Sequence, residues 1–112
     1  MVLIVEKEDR MTNKTLNPVG RLQGKVDLPG DKSISHRALL LNAVANGDSR
    51  ITGLSTANDV QSTISCLKKL GVKINKAKDG FIVHGVGMNG LQAPLKTLDA
   101  GNSGTTIRLL SG

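Results

Sequence analysis

Residues 28–43 read Leu28-Pro29-Gly30-Asp31-Lys32-Ser33-Ile34-Ser35-His36-Arg37-Ala38-Leu39-Leu40-Leu41-Asn42-Ala43. A proline-glycine break leads into capping residues and then an apolar run, which predicts a helix over about 33–46, stopped by a left-handed Gly47. Its first turns carry a lysine, a serine and an arginine. The opening N–H groups of a helix lack internal partners and its dipole is positive there, so a phosphate or carboxylate is favoured before any side chain is counted. Lys32 and Arg37 add full charges, and Ser33 and Arg37 share one helix face, so hydroxyl and guanidinium can converge on one ligand while Leu41 continues the stripe. The plainer reading is a capped surface helix, with Asp31 or Ser33 as cap, Lys32 and Arg37 solvated, and Ile34, Ala38, Leu41 and Ala45 toward a core. For the run as a whole the anion reading is favoured, because Pro29-Gly30 lets backbone approach closely where the charges begin.

A second stretch has the same design. Leu98-Asp99-Ala100-Gly101-Asn102-Ser103-Gly104-Thr105-Thr106-Ile107-Arg108 is a glycine-bearing turn opening a helix; Gly104 leaves N–H groups uncovered, the threonines add hydroxyls, and Arg108 follows as Arg37 follows Ser33. An ordinary Asn or Ser cap, with glycine for tight packing, accounts for these residues equally well.

Between the two lies an α/β pattern. Residues 16–28 read as two short extended pieces broken at Pro18 and Gly24, and 50–54 as a strand. Thr56 or Asn58 begins a second helix with Val60, Ile64, Leu67 and Leu70 on one face, Lys68-Lys69 in its last turn and Gly71 ending it. Residues 72–75 and 81–84 form a hairpin through Lys78-Asp79-Gly80. The order is strand, helix, strand, helix, strand, strand, a unit that fits inside a larger domain. Residues 1–14 are expected to be a flexible extension, with Met11 a second possible start. The sequence stops about two turns into an apolar helix, so the chain is expected to be the N-terminal portion of something longer.

Composition narrows the partners. With one aromatic residue in 112, Phe81, the core must be built from Leu, Ile, Val and Ala. The net charge of +6 favours anionic partners, but the basic residues are mostly scattered and no aromatic side chains are interleaved to stack on bases, which argues against nucleic acid. Cys66 has no partner for an internal disulfide and falls on an apolar helix face. His36 and His84 lie far apart without metal-ligand companions. The apolar run of five at the start is too short for a signal sequence and no other stretch could span a bilayer, so a cytoplasmic location, away from membranes, is expected.

Two partial motifs fail on spacing. Lys32-Ser33 lacks the Walker A loop, because Asp31 separates Gly30 from the lysine and Gly24 lies one residue too far away. Gly85-Val86-Gly87-Met88-Asn89-Gly90 fits a dinucleotide fingerprint, yet Pro94 follows where a helix should run; residues 85–97 read as a loop.

Taken together, residues 28–41, Ser55-Thr56-Ala57-Asn58-Asp59-Val60 and residues 98–108 closely resemble the enolpyruvyl transferases, in their EPSP synthase branch. The resemblance covers about residues 15–112. It implies an α/β fold: the crossover segment, the first βαβαββ unit and the start of the second from an inside-out barrel enzyme about four times longer. It also implies transfer of enolpyruvyl from phosphoenolpyruvate to the 5-hydroxyl of shikimate 3-phosphate, without metal or organic cofactor, by a monomeric parent. Carried over by motif, Lys32 contacts both substrates, Ser33 and Arg37 bind shikimate 3-phosphate, and Gly104 lies at the phosphoenolpyruvate site. Asn102, Thr105, Arg108 and Asp59 have supporting roles. Glycine at position 104 goes with glyphosate sensitivity in the family. The general acid and base belong to the part of the enzyme absent here, so the chain alone is expected to be inactive and either to self-associate or to need the C-terminal part; the alternative reading is an independent anion-binding or interaction module, or a complementing half-enzyme.

Overall fold

The computed structural model describes residues 2–7 and 10–112; Met1, Glu8 and Asp9, part of the expected flexible extension, lie outside the described residues. Strands β1 (Val2–Lys7) and β2 (Arg10–Thr15) pair antiparallel from Val2↔Thr15 to Lys7↔Arg10, where no regular structure was expected. This hairpin packs against no other element among those described.

The body of the fold is α1 (Lys32–Ala43), β3 (Asn46–Thr52), α2 (Asn58–Lys69), β4 (Lys73–Ala77), β5 (Gly80–Val86) and α3 (Gly104–Ser111). The sheet has the order β3-β5-β4 and both pairings are antiparallel, so β5 is inserted between two strands joined through α2. Alternation sorts its faces. Ile51, Phe81, Val83 and Ile74 look toward the helices, whereas Asp48, Arg50, His84 and Asn75 occupy the other side. There His84 Nδ1 lies 2.7 Å from Asp48 and its Nε2 3.2 Å from Asn75, and Arg50 pairs with Asp79.

The core joins Leu39 and Ala43 of α1, Val60, Ile64 and Leu67 of α2, Ile51, Val72, Ile74 and Val83. Leu39 and Leu67 are completely buried, and truncating either to alanine removes about 2–5 kcal/mol. Phe81 only borders this cluster, so the core is aliphatic, as the composition requires.

Three sequence expectations are corrected. First, α1 turns a different face inward: Ser35, His36, Leu39 and Ala43 are buried, while Ile34 and Leu41 are exposed. Polar and apolar residues are both spread around α1, with no sharp apolar stripe, so periodicity could not choose its buried side. Second, α1 ends at Ala43, and Gly47, with φ of 102°, lies inside β3 opposite Gly85 instead of capping the helix. A Cβ on Gly85 would lie on the Ala45 carbonyl oxygen and 2.6 Å from that of Asn42, so the end of α1 rests directly on β5. Third, residues 16–28 form no strand. A strand persists through its ladder partner, and no described strand pairs with this segment. Leu16, Val19, Leu22, Val26 and Leu28 are all exposed along it. The expected βαβαββ order is therefore present from its first helix onward, as αβαββ.

Candidate functional site

Each helix opening begins with a local decision of the sequence. At α1, Asp31 has extended backbone and its carboxylate accepts the Ile34 N–H at 2.7 Å, which leaves the Lys32 and Ser33 side chains outside. The Ser35 hydroxyl donates to the Asp31 carbonyl at 2.6 Å and accepts the Ser55 N–H at 2.9 Å, fastening the loop after β3 to the start of α1. Gly30 makes that approach possible, because a Cβ there would fall on the Gly53 carbonyl oxygen and 2.8 Å from the Ser55 nitrogen. At α3, Ser103 is the cap and accepts the Thr106 N–H at 3.1 Å. Gly104 follows as the first helical residue, with open space where a side chain would be.

Asp59, in the first turn of α2, joins these openings. The Lys32 Nζ donates to its Oδ2 at 2.9 Å, and its carbonyl oxygen lies 3.4 Å from the Thr106 hydroxyl. The hydrogen bond from Lys32 holds the Asp59 carboxyl below the usual carboxylate range. Lys32 keeps more than half of its side-chain surface, so the pair is open to water and contributes little to stability.

The sequence-predicted residues are partly assembled. Lys32 meets Asp59, and Asp59 meets Thr106, two residues beyond Gly104. Arg37 folds back along its own helix to donate to the Ser33 carbonyl at 3.1 Å, which puts guanidinium and hydroxyl on one exposed face. Asn102, Thr105 and Arg108 are exposed at or beyond the α3 opening, and none of their side chains is hydrogen-bonded to the others in this group. Arg108 stands in the last turn of α3, where its charge suits the dipole of its own helix.

The sequence reading missed what lies underneath. His36, Thr63, Thr106 and Ser103 are buried and hydrogen-bonded in series: His36 Nδ1 to Thr63 Oγ1 at 2.8 Å, Thr63 Oγ1 to Thr106 Oγ1 at 2.7 Å, and the Thr106 hydroxyl to Ser103 Oγ at 2.7 Å. His36 Nε2 is buried without a hydrogen-bond partner among the described residues. Burial pushes the imidazole pKa down, Asp59 opposes this, and Lys32 and Arg37 reinforce it. One signal was available in the sequence: Thr63 interrupts the apolar stripe of Val60, Ile64 and Leu67 with a hydroxyl.

Fold and site together define an α/β unit with two helix openings, one bearing Lys32 and Arg37 and the other Gly104, joined through the start of a third helix. A family model for EPSP synthase (3-phosphoshikimate 1-carboxyvinyltransferase) matches residues 16–112, leaving the β1–β2 hairpin outside. A 3-phosphoshikimate 1-carboxyvinyltransferase of Solibacter usitatus is 50% identical over 100 residues, covering 89% of this chain and 24% of the relative. One of Roseiflexus is 54% identical over 98 residues, covering 88% and 23%. The EPSP synthase from Acinetobacter baumannii superimposes with a TM-score of 0.73 at 46% identity, over 79% of this chain and 20% of that one. The chain belongs to the EPSP synthase family. It spans roughly a quarter of the length of the curated relatives it matches. Among the described residues, no helix is long and apolar enough to cross a membrane.

Proposed function

We propose that this chain is the N-terminal portion of a 3-phosphoshikimate 1-carboxyvinyltransferase, contributing one side of the cleft in which enolpyruvyl passes from phosphoenolpyruvate to the 5-hydroxyl of shikimate 3-phosphate with release of phosphate. Lys32 reaches both substrates, Ser33 and Arg37 hold shikimate 3-phosphate, and Gly104 leaves room for phosphoenolpyruvate, with Asp59, Asn102, Thr105 and Arg108 in support. The observation that carries this reading is the link from Lys32 through Asp59 to Thr106, which sets the α1 and α3 openings side by side. Bringing two like charges to 4 Å costs about 4 kcal/mol at a protein surface, and both substrates carry several. Fixed cations and helix openings offset that repulsion and stabilise the charge that develops as the new C–O bond forms.

The 112-residue chain alone binds without turning over, because the acid and base of the reaction belong to the remainder of the longer family members. Calorimetric titration of the chain with shikimate 3-phosphate is expected to show binding that weakens with salt and is lost in Lys32→Met and Arg37→Ala. Equal affinity in wild type and both variants would overturn the reading. Assayed with both substrates, the chain should release no phosphate above background.

One observation favours a further role as a complementing half. The exposed apolar residues of segment 16–28 are a surface for the missing portion to cover. Phosphate release on mixing with a separately expressed C-terminal portion would establish it.

A further inference from the structure

The buried series His36–Thr63–Thr106–Ser103 has a direction, and counting protons gives it. A hydroxyl has one proton to donate and lone pairs to accept. The Thr106 hydroxyl donates away from Thr63, to Ser103 Oγ at 2.7 Å with the Asp59 carbonyl as a second acceptor at 3.4 Å, so it accepts the proton of Thr63. Thr63, having donated, accepts from His36, so the imidazole carries its proton on Nδ1 and Nε2 is the bare, unpartnered nitrogen. One side chain, Thr63 of α2, thus touches α1 beside Arg37 and α3 two residues from Gly104.

We propose that Thr63 is a positioning residue, which holds the Lys32- and Arg37-bearing opening of α1 in register with the Gly104-bearing opening of α3, so that an anion seated at one prepares the other. The proposal rests on the two-anion reading above. Thr63 is completely buried and touches neither ligand position itself; it acts through what its hydroxyl holds. The outer latch through Asp59 is half-exposed and a ligand competes for it, whereas the inner series is sealed from water and stays in place when Lys32 turns to an anion. A buried hydroxyl with two short partners also resists removal, since deletion leaves His36 Nδ1 unpaired and takes one partner from Thr106.

The test compares wild type, Thr63→Val and Thr63→Ser by calorimetry, titrating phosphoenolpyruvate with and without saturating shikimate 3-phosphate. Shikimate 3-phosphate is expected to tighten phosphoenolpyruvate binding at least tenfold in wild type and Thr63→Ser. In Thr63→Val that enhancement should fall to less than twofold, while affinity for shikimate 3-phosphate alone changes by less than threefold. Retention of the full enhancement in Thr63→Val would overturn the positioning role and leave the two-anion reading standing; failure of wild type to bind either substrate would overturn both. Should Thr63→Val fail to fold, Thr63→Cys, with its weak donor, takes its place under the same criteria. A measurement without any variant is nitrogen NMR of the His36 ring: a proton on Nδ1 is expected, and a proton on Nε2 of the neutral ring would overturn the direction assigned to the series.

Discussion

The same substitution at two glycines should have opposite effects, and the difference follows from what a methyl group meets. At Gly30 an added Cβ clashes with the Gly53 carbonyl oxygen and sits 2.8 Å from the Ser55 nitrogen and 2.9 Å from the Leu54 carbonyl carbon, all backbone atoms that cannot swing aside. The loop after β3 must retreat, at about 1–3 kcal/mol for overpacking. Retreat also breaks the buried hydrogen bond from the Ser55 N–H to Ser35, about 1 kcal/mol more. For Gly30→Ala the sum is about 3 kcal/mol, which at roughly 5 °C per kcal/mol lowers the melting midpoint by about 15 °C. At Gly104 the corresponding space is open and the residue is helical, so alanine gains propensity and Gly104→Ala should raise the midpoint by a few degrees, about 0.5 kcal/mol. Thermal and urea unfolding followed by far-UV circular dichroism would measure both, an unchanged urea slope showing that the folded state is compared with the same unfolded one. Midpoints for Gly30→Ala within about 2 °C of wild type would refute the packing argument at the α1 opening.

Other expectations follow from the titrating and nucleophilic groups. His36 is held neutral, its folded pKa below the unfolded value near 6.5, so the unfolded chain takes up its proton first as pH falls. Its contribution to stability should be complete above about pH 7 and decline below about pH 6.5, by up to about 1.4 kcal/mol per pH unit, until the folded imidazole itself titrates. Urea unfolding between pH 5 and 8 should show this limb in wild type, and its persistence in His36→Asn would contradict the assignment. The Asp59 carboxyl, held down by Lys32, adds a separate decline below about pH 4 that Lys32→Met should abolish. Burial raises the Cys66 thiol pKa, so an aromatic disulfide reagent at pH 8 should leave it unmodified until denaturant is added; native reaction at the rate of a peptide thiol would show that α2 opens there.

Much of the architecture was legible because local signals agreed. Asp31 and Gly30 mark the start of α1, Gly71 ends α2, and Lys78-Asp79-Gly80 turns β4 into β5; these are short-range constraints that need no knowledge of the rest. What failed depended on partners distant in sequence. Residues 16–28 read as two short extended pieces but have no described strand to pair with, and Gly47 lies in a strand opposite Gly85. Of the candidate site, Lys32, Ser33, Arg37 and Gly104 could be read from helix openings, and Asp59 came from the resemblance. Thr63 and His36 could not, since a threonine on an apolar stripe and a histidine beside an arginine have many ordinary explanations until their atoms are seen to touch.

The hydroxyls beneath the site form a file from the His36 ring to Ser103 in which the two inner members, Thr63 and Thr106, are each donor and acceptor at once. The Thr106 hydroxyl has the Asp59 carbonyl as a second acceptor, so its bond to Ser103 can reverse alone; if Thr106 donated to Thr63 instead, the Thr63 proton would turn to the imidazole, whose own proton would then sit on Nε2. The ring of His36 is therefore an internal gauge of the Thr63–Thr106 bond between α2 and α3, readable from the far end of the file without touching either ligand.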